Sequence, residues 1–186
     1  WSDAAGAAKR RGPKVVCVIG KKKSGKTTTV VGLVSELIER GREVVTVKHG
    51  HGFALDHEGR DSWRHRHEGG AKRVVMAGPD EFAVLGRWGP RDGGVEPTLG
   101  TLVDRFAADA DIVVAEGFKT ADYPCIEVHR TAAHPLPLFG DPALGSPRRW
   151  LAVLTDDGGF RAGCPVLDID APERFRVLAD LVERLA

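Results

Sequence analysis

Residues 20–27 read Gly-Lys-Lys-Lys-Ser-Gly-Lys-Thr, directly after the apolar run Val15-Val16-Cys17-Val18-Ile19. The spacing is G-x-x-x-x-G-K-[ST], delivered by a strand and followed by an amphipathic run with helical spacing. In that context the backbone N–H groups of the loop and of the helix start converge on one concavity that favours anionic oxygens. The chemistry implied is binding of a nucleoside triphosphate. Lys26 would reach the β- and γ-phosphates and Thr27 would hold Mg²⁺. Gly20, Lys21, Lys22, Lys23, Ser24 and Gly25 make up the rest of the loop. Without its flanks the segment would be a glycine turn carrying solvated lysines.

A second segment, Asp111-Ile-Val-Val-Ala-Glu116-Gly117-Phe118-Lys119, is an apolar strand ending in an acid and a glycine. A carboxylate at the carboxyl end of a central strand can hold Mg²⁺, directly or through water, or orient an attacking water. Glu116 fills that role, and Asp111 belongs at the opposite edge. A third segment runs from Lys48-His49-Gly50-His51-Gly52-Phe53 through Asp56 to Gly59-Arg60-Asp61-Ser62. It leaves a strand at the same edge and reads as a switch loop, ordered by metal and γ-phosphate. Asp61 or Asp56 could complete the metal shell. The histidine pairs 49/51 and 65/67 match no zinc-ligand spacing. Arg64, Arg66, Lys72 and Arg73 add local positive charge, for a phosphate or as a solvated face.

The elements that must position these residues alternate. Strands are predicted at Lys14–Ile19, Glu43–Lys48, Asp111–Ala115, Ile126–His129, Leu151–Leu154 and Val166–Ile169. A helix starts at Gly25 or Lys26, with Val30, Val31, Leu33, Val34, Leu37 and Ile38 on one face and Gly41 as its stop. Further helices are predicted at Ser62–Gly69, capped by Asp61 or Ser62, at Pro97–Ala108 with Pro at its first turn, and at Pro172–Ala186. Val74–Ala77 and Phe82–Leu85 read as a hairpin around Gly78-Pro79-Asp80. Residues 131–149 read as an irregular surface excursion. Continuous apolar strands separated by helices predict an α/β fold of three layers, a mostly parallel sheet between helices, with ligand at the carboxyl ends of the strands.

Residues 1–13 read as a basic, disordered lead-in and residues 14–186 as a single domain. Net charge is +1 with 28% charged residues, so composition gives no pull toward nucleic acid or membrane. No stretch approaches the roughly 20 apolar residues of a membrane span. No signal-peptide core is visible. The widely spaced Cys17, Cys125 and Cys164 form neither a disulfide framework nor a zinc pair, which fits a reducing cytoplasm.

Taken together, the phosphate loop, Lys48, His49, His51, Phe53, Asp56, Gly59, Arg60, Asp61, Ser62, Arg64, Gly70, Ala71 and the run Glu116–Lys119 resemble the MobB family, which serves molybdopterin-guanine dinucleotide biosynthesis. Ile126-Glu127-Val128-His129-Arg130 is similar to a following strand of that family. The resemblance covers about residues 14–130. It implies a P-loop NTPase of the signal-recognition-like dimeric branch, binding GTP with Mg²⁺ and hydrolysing it slowly. It implies a homodimer that works with the molybdopterin guanylyltransferase. By the same resemblance 20–28 bind phosphates, Thr27 binds the metal, and Asp61 and Glu116 are similar to the metal-site acids of dethiobiotin synthetase. Arg60 stands where the family has Lys, keeping charge but changing geometry. Lys21 falls where the dimeric branch often places a lysine on the partner's phosphates, but Gly-Gly does not follow it. No Asn-Lys-x-Asp motif reads guanine. Asp156, after Leu154-Thr155, could accept from guanine N1 and N2, and Thr-Asp-Asp-Gly is equally good turn chemistry. The alternatives of different class are a small-molecule kinase or ligase of the dethiobiotin synthetase type and a metallochaperone GTPase.

Overall fold

The computed structural model describes residues 12–50, 52, 55–89, 96–144 and 149–186. The lead-in up to residue 11, His51, Phe53, and parts of the 86–96 and 131–149 connections lie outside the described residues. The described residues gather into two compact units, one formed by 12–49 with 98–186 and one within 50–97.

The first unit is a six-stranded sheet ordered β2-β5-β1-β6-β7-β8. Its strands are β1 (Lys14–Ile19), β2 (Val44–Lys48), β5 (Ile112–Glu116), β6 (Cys125–His129), β7 (Trp150–Thr155) and β8 (Val166–Asp168). Every pairing is parallel. The reason is visible in the sequences: β1 and β5 are apolar at successive positions, so both faces need cover. On one face, Val16, Val18, Val114, Ile126 and Leu154 pack against α1 (Lys26–Glu39) and α4 (Arg174–Glu183). On the other, Val15, Cys17, Ile19, Val113 and Cys125 pack against Leu99 and Val103 of α3 (Leu99–Phe106) and against Leu138. This is the expected three-layer arrangement, with β1 inside the sheet.

Several boundaries move. In α1 the stripe Val30, Leu33 and Leu37 is buried, whereas Val31 and Ile38, placed on that face from sequence, are exposed. They sit about 100° around the helix from Val30 and Leu37, beyond the edge of the covered stripe. Helix α3 begins one residue after Thr98, whose hydroxyl accepts from the Thr101 N–H. A side-chain cap outcompetes proline as the start signal here, and Pro97 lies outside the helix. The excursion at 131–149 is tied down rather than superficial: Leu138 is buried, and one 3-10 turn spans Pro142–Leu144.

The second unit holds α2 (Asp61–His67) and the antiparallel hairpin of β3 (Arg73–Ala77) and β4 (Phe82–Gly86). Asp61 is the first helical residue, not the cap. Arg60 holds the cap position without a side-chain bond. Asp61 instead places its charge in the first turn, where the helix dipole favours an acid. Asp56 accepts from the Ser62 hydroxyl at 2.9 Å and from Arg66 at 3.3 Å, so it braces the helix entry. Among the described residues no helix is long and apolar enough to cross a membrane.

Candidate functional site

The loop at 20–27 leaves the carboxyl end of β1 and turns straight into α1. Gly20 is required by proximity, since a Cβ there would lie 2.3 Å from the Val128 carbonyl oxygen. Gly25, at φ +100°, takes a left-handed conformation that directs the chain into the helix. Lys23 adopts φ 63°, an uncommon conformation for a residue with a Cβ. The Lys26 ammonium donates to the Lys21 carbonyl at 2.7 Å and so lies back across its own loop. Burial lowers its pKa, and the neighbouring Lys119 and Lys48 add to that, against the pull of Glu116. Ser24 is buried, and its hydroxyl has no hydrogen-bond partner among the described residues.

Glu116 ends β5, the strand beside β1, and its carboxylate accepts from the Thr27 hydroxyl at 3.2 Å to each oxygen. The two residues expected to share a metal are thus brought together. Their fit to Mg²⁺ is direct. Both offer the hard oxygens that Mg²⁺ takes, and they would hold it there. One further cation already sits there. Lys48 is the ladder partner of Glu116, and its ammonium lies 3.0 Å from Glu116 Oε1. Asp61 belongs to the second unit, where it opens α2 exposed to solvent.

Asp156 follows β7, two strands from β1. One of its oxygens accepts from the Thr131 N–H at 2.8 Å and the other faces Arg130 at 4.0 Å. The Thr131 bond is the main reason its carboxyl lies below the usual range. Asp157 closes a turn onto the Gly159 N–H. The strand-end turn therefore exists, and beside it opens a cleft of about 400 Å³ lined by Thr155, Asp156, Asp157, Phe160, Arg161 and Asp168.

Sequence reasoning missed a brace behind the phosphate loop. Glu127 is buried in β6 and accepts from the N–H groups of Leu138 and Phe139. His129, also buried, has Nε2 at 2.9 Å from the His134 carbonyl and Nδ1 at 2.9 Å from the Thr155 hydroxyl. A carbonyl only accepts, so Nε2 carries a proton and donates to it. The segment held in this way reaches the loop twice: Lys21 donates to the Leu136 carbonyl at 2.8 Å and His134 Nε2 to the Lys22 carbonyl at 3.0 Å. Lys21, considered for a contact across a dimer, is thus engaged within its own chain. The signal in the sequence was one acid and one histidine inside a strand with otherwise apolar neighbours.

A parallel sheet between helix layers, with a glycine-rich loop leaving a central strand beside a strand-end acid, defines an α/β protein carrying a phosphate-loop sequence where such a loop must lie. More particularly, the chain belongs to the MobB family: the family model for molybdopterin guanine dinucleotide synthesis protein B matches residues 15–156. It is 36% identical over 123 residues to the molybdopterin-guanine dinucleotide biosynthesis adapter protein of Haemophilus influenzae, a match spanning 64% of this chain and 66% of that relative's length. A crystal structure of molybdopterin-guanine biosynthesis protein B superposes with a TM-score of 0.68 at 27% identity, covering 91% of this chain and 99% of the other. That of Bacillus subtilis MobB shares the fold at a TM-score of 0.65 and 21% identity, covering 90% and 97%.

Proposed function

We propose that this chain is a GTP-binding adapter of molybdopterin guanine dinucleotide biosynthesis, with slow Mg²⁺-dependent GTPase activity. The observation that carries the reading is the Gly20–Thr27 loop with Thr27 seated on Glu116, in a member of this family. Lys26 would leave the Lys21 carbonyl to bind the β- and γ-phosphates. Thr27 and Glu116 would hold Mg²⁺. When bound, the metal supplies charge neutralisation on the triphosphate. Lys22, Lys23 and Thr28 would line the cradle. Asp156 would accept from the guanine edge. At about 4.8 Å per strand, β7 lies roughly 10 Å from β1, a span suited to separating a base from its phosphates.

The proposed partner is the guanylyltransferase that makes the dinucleotide, the proposed assembly a homodimer and the proposed compartment the cytoplasm. Slow turnover suits a timer, with the triphosphate holding a partner-binding state.

Calorimetry with GTP and ATP tests the base, and tighter ATP binding refutes it. Lys26→Ala should abolish triphosphate binding while circular dichroism stays unchanged, and unaltered affinity refutes the phosphate-loop assignment. Retention of the guanylyltransferase on immobilised protein with GTP, and its loss without, tests the adapter role.

A further inference from the structure

We propose that Lys48 is a phosphate-contacting residue that serves as the resident counter-cation of Glu116 until a divalent ion takes that carboxylate, and then turns to the terminal phosphate. The proposal rests on the nucleotide-binding reading above and deepens it.

Three observations lead there. Parallel pairing places Lys48 and Glu116 opposite one another at the last rung of β2 and β5, so the backbone itself delivers the ammonium to the acid. The contact is made at Oε1, an oxygen also shared with the Thr27 hydroxyl. The ammonium therefore shares its carboxylate with the hydroxyl that, with Glu116, would hold a metal. The two partners also differ in freedom: the Lys48 side chain is 55% exposed and that of Glu116 only 13%. Glu116 is held in place, while the lysine stem can swing.

The physical consequence is an exchange. An ammonium and a divalent cation on one carboxylate repel in a partly desolvated site, which favours departure of the ammonium when the metal binds. Lys48 is the mobile one, and the nearest new anion is the triphosphate that arrives with the metal. A compact ammonium on a flexible four-carbon stem is suited to such a move. Lys119 and Lys48 both act on the Lys26 ammonium beside Glu116, so the displaced charge stays in a cationic cluster that a polyanion would relieve. A nucleotide carrying a terminal phosphate and a metal together would relieve it better than either alone.

The test uses the full chain without nucleotide and Mn²⁺ alone as probe, read by electron paramagnetic resonance. Lys48→Met should bind Mn²⁺ about tenfold tighter than wild type. Lys48→Arg, which keeps a cation, should remain near the wild-type value. Lys119→Met controls for the general field, and its effect should vanish in about 0.5 M KCl while that of Lys48→Met persists. Unchanged Mn²⁺ affinity in Lys48→Met overturns the exchange, as does an effect no larger than that of Lys119→Met. In a second arm, Lys48→Met should lose about tenfold in affinity for GTP and little for GDP. An equal loss for both overturns the terminal-phosphate contact. A wild-type chain that binds neither nucleotide refutes the proposed function instead, and the Mn²⁺ arm still judges the exchange.

Discussion

Glu127 and Asp156 show how two carboxylates on neighbouring strands acquire opposite pH behaviour. Burial holds the Glu127 carboxyl above the ordinary glutamate range, although the N–H groups of Leu138 and Phe139 pull it down. Its native state binds more protons than its unfolded state, so the stability it contributes is full below the ordinary glutamate value and is lost as pH rises through its native value. Asp156 lies below its ordinary range because the Thr131 N–H donates to it. Its contribution is present above the ordinary aspartate value and is lost as pH falls through the native one. Urea midpoints across pH should therefore separate them: Glu127→Gln flattens the decline with rising pH, and Asp156→Asn flattens the loss on the acid side. Equal shifts at every pH would show that neither carboxyl titrates differently on folding.

The connection after β6 is held from both sides. Its anchors are buried side chains of β6, and it meets the phosphate loop through two carbonyls that accept, Leu136 from the Lys21 ammonium and Lys22 from His134 Nε2. Removing one such bond, worth about 1 kcal/mol net, predicts about fivefold faster amide exchange in the phosphate loop. His134→Ala should show this at residues 22–24 by hydrogen exchange with a near-wild-type melting temperature, and unchanged exchange there would show that the segment does not brace the loop. Much of the rest was legible. Strand β1 and helix α1 were readable because an apolar run and a 3.6-residue stripe leave few alternatives. The pairing of Thr27 with Glu116 followed from putting both at carboxyl strand ends. Lys48 on Glu116 was not legible, because it needs β2 beside β5, and strand order is not written in local periodicity. The brace was hidden for a similar reason: acceptors and donors that meet through backbone carbonyls leave no residue-type signature. Pro97 misled because a threonine cap one residue later overrode it.

At the scale of the whole molecule, the hairpin of the second unit carries the surface suited to the proposed homodimer. Val75 pairs with Val84 and Ala77 with Phe82 on one face, and Val75 and Phe82 are 62% and 69% exposed. Exposed apolar patches of this kind mark association surfaces. Val84→Asp should therefore yield a monomer by light scattering with the first unit still folded, and a monomeric wild type would refute the dimer. The strand order has a different consequence, one of timing. β1 and β2 are not neighbours, because β5 lies between them, and the whole second unit is synthesised before β5. β1 and the loop after it therefore have no ladder partner until residues 112–116 follow them off the ribosome. Non-local parallel pairing of this kind is slow and leaves apolar strands uncovered in the interval. Thr27 and Glu116 lie 89 positions apart in the chain, so β1 and its loop wait uncovered while the whole second unit is made, an interval open to the misassociation that chaperones prevent.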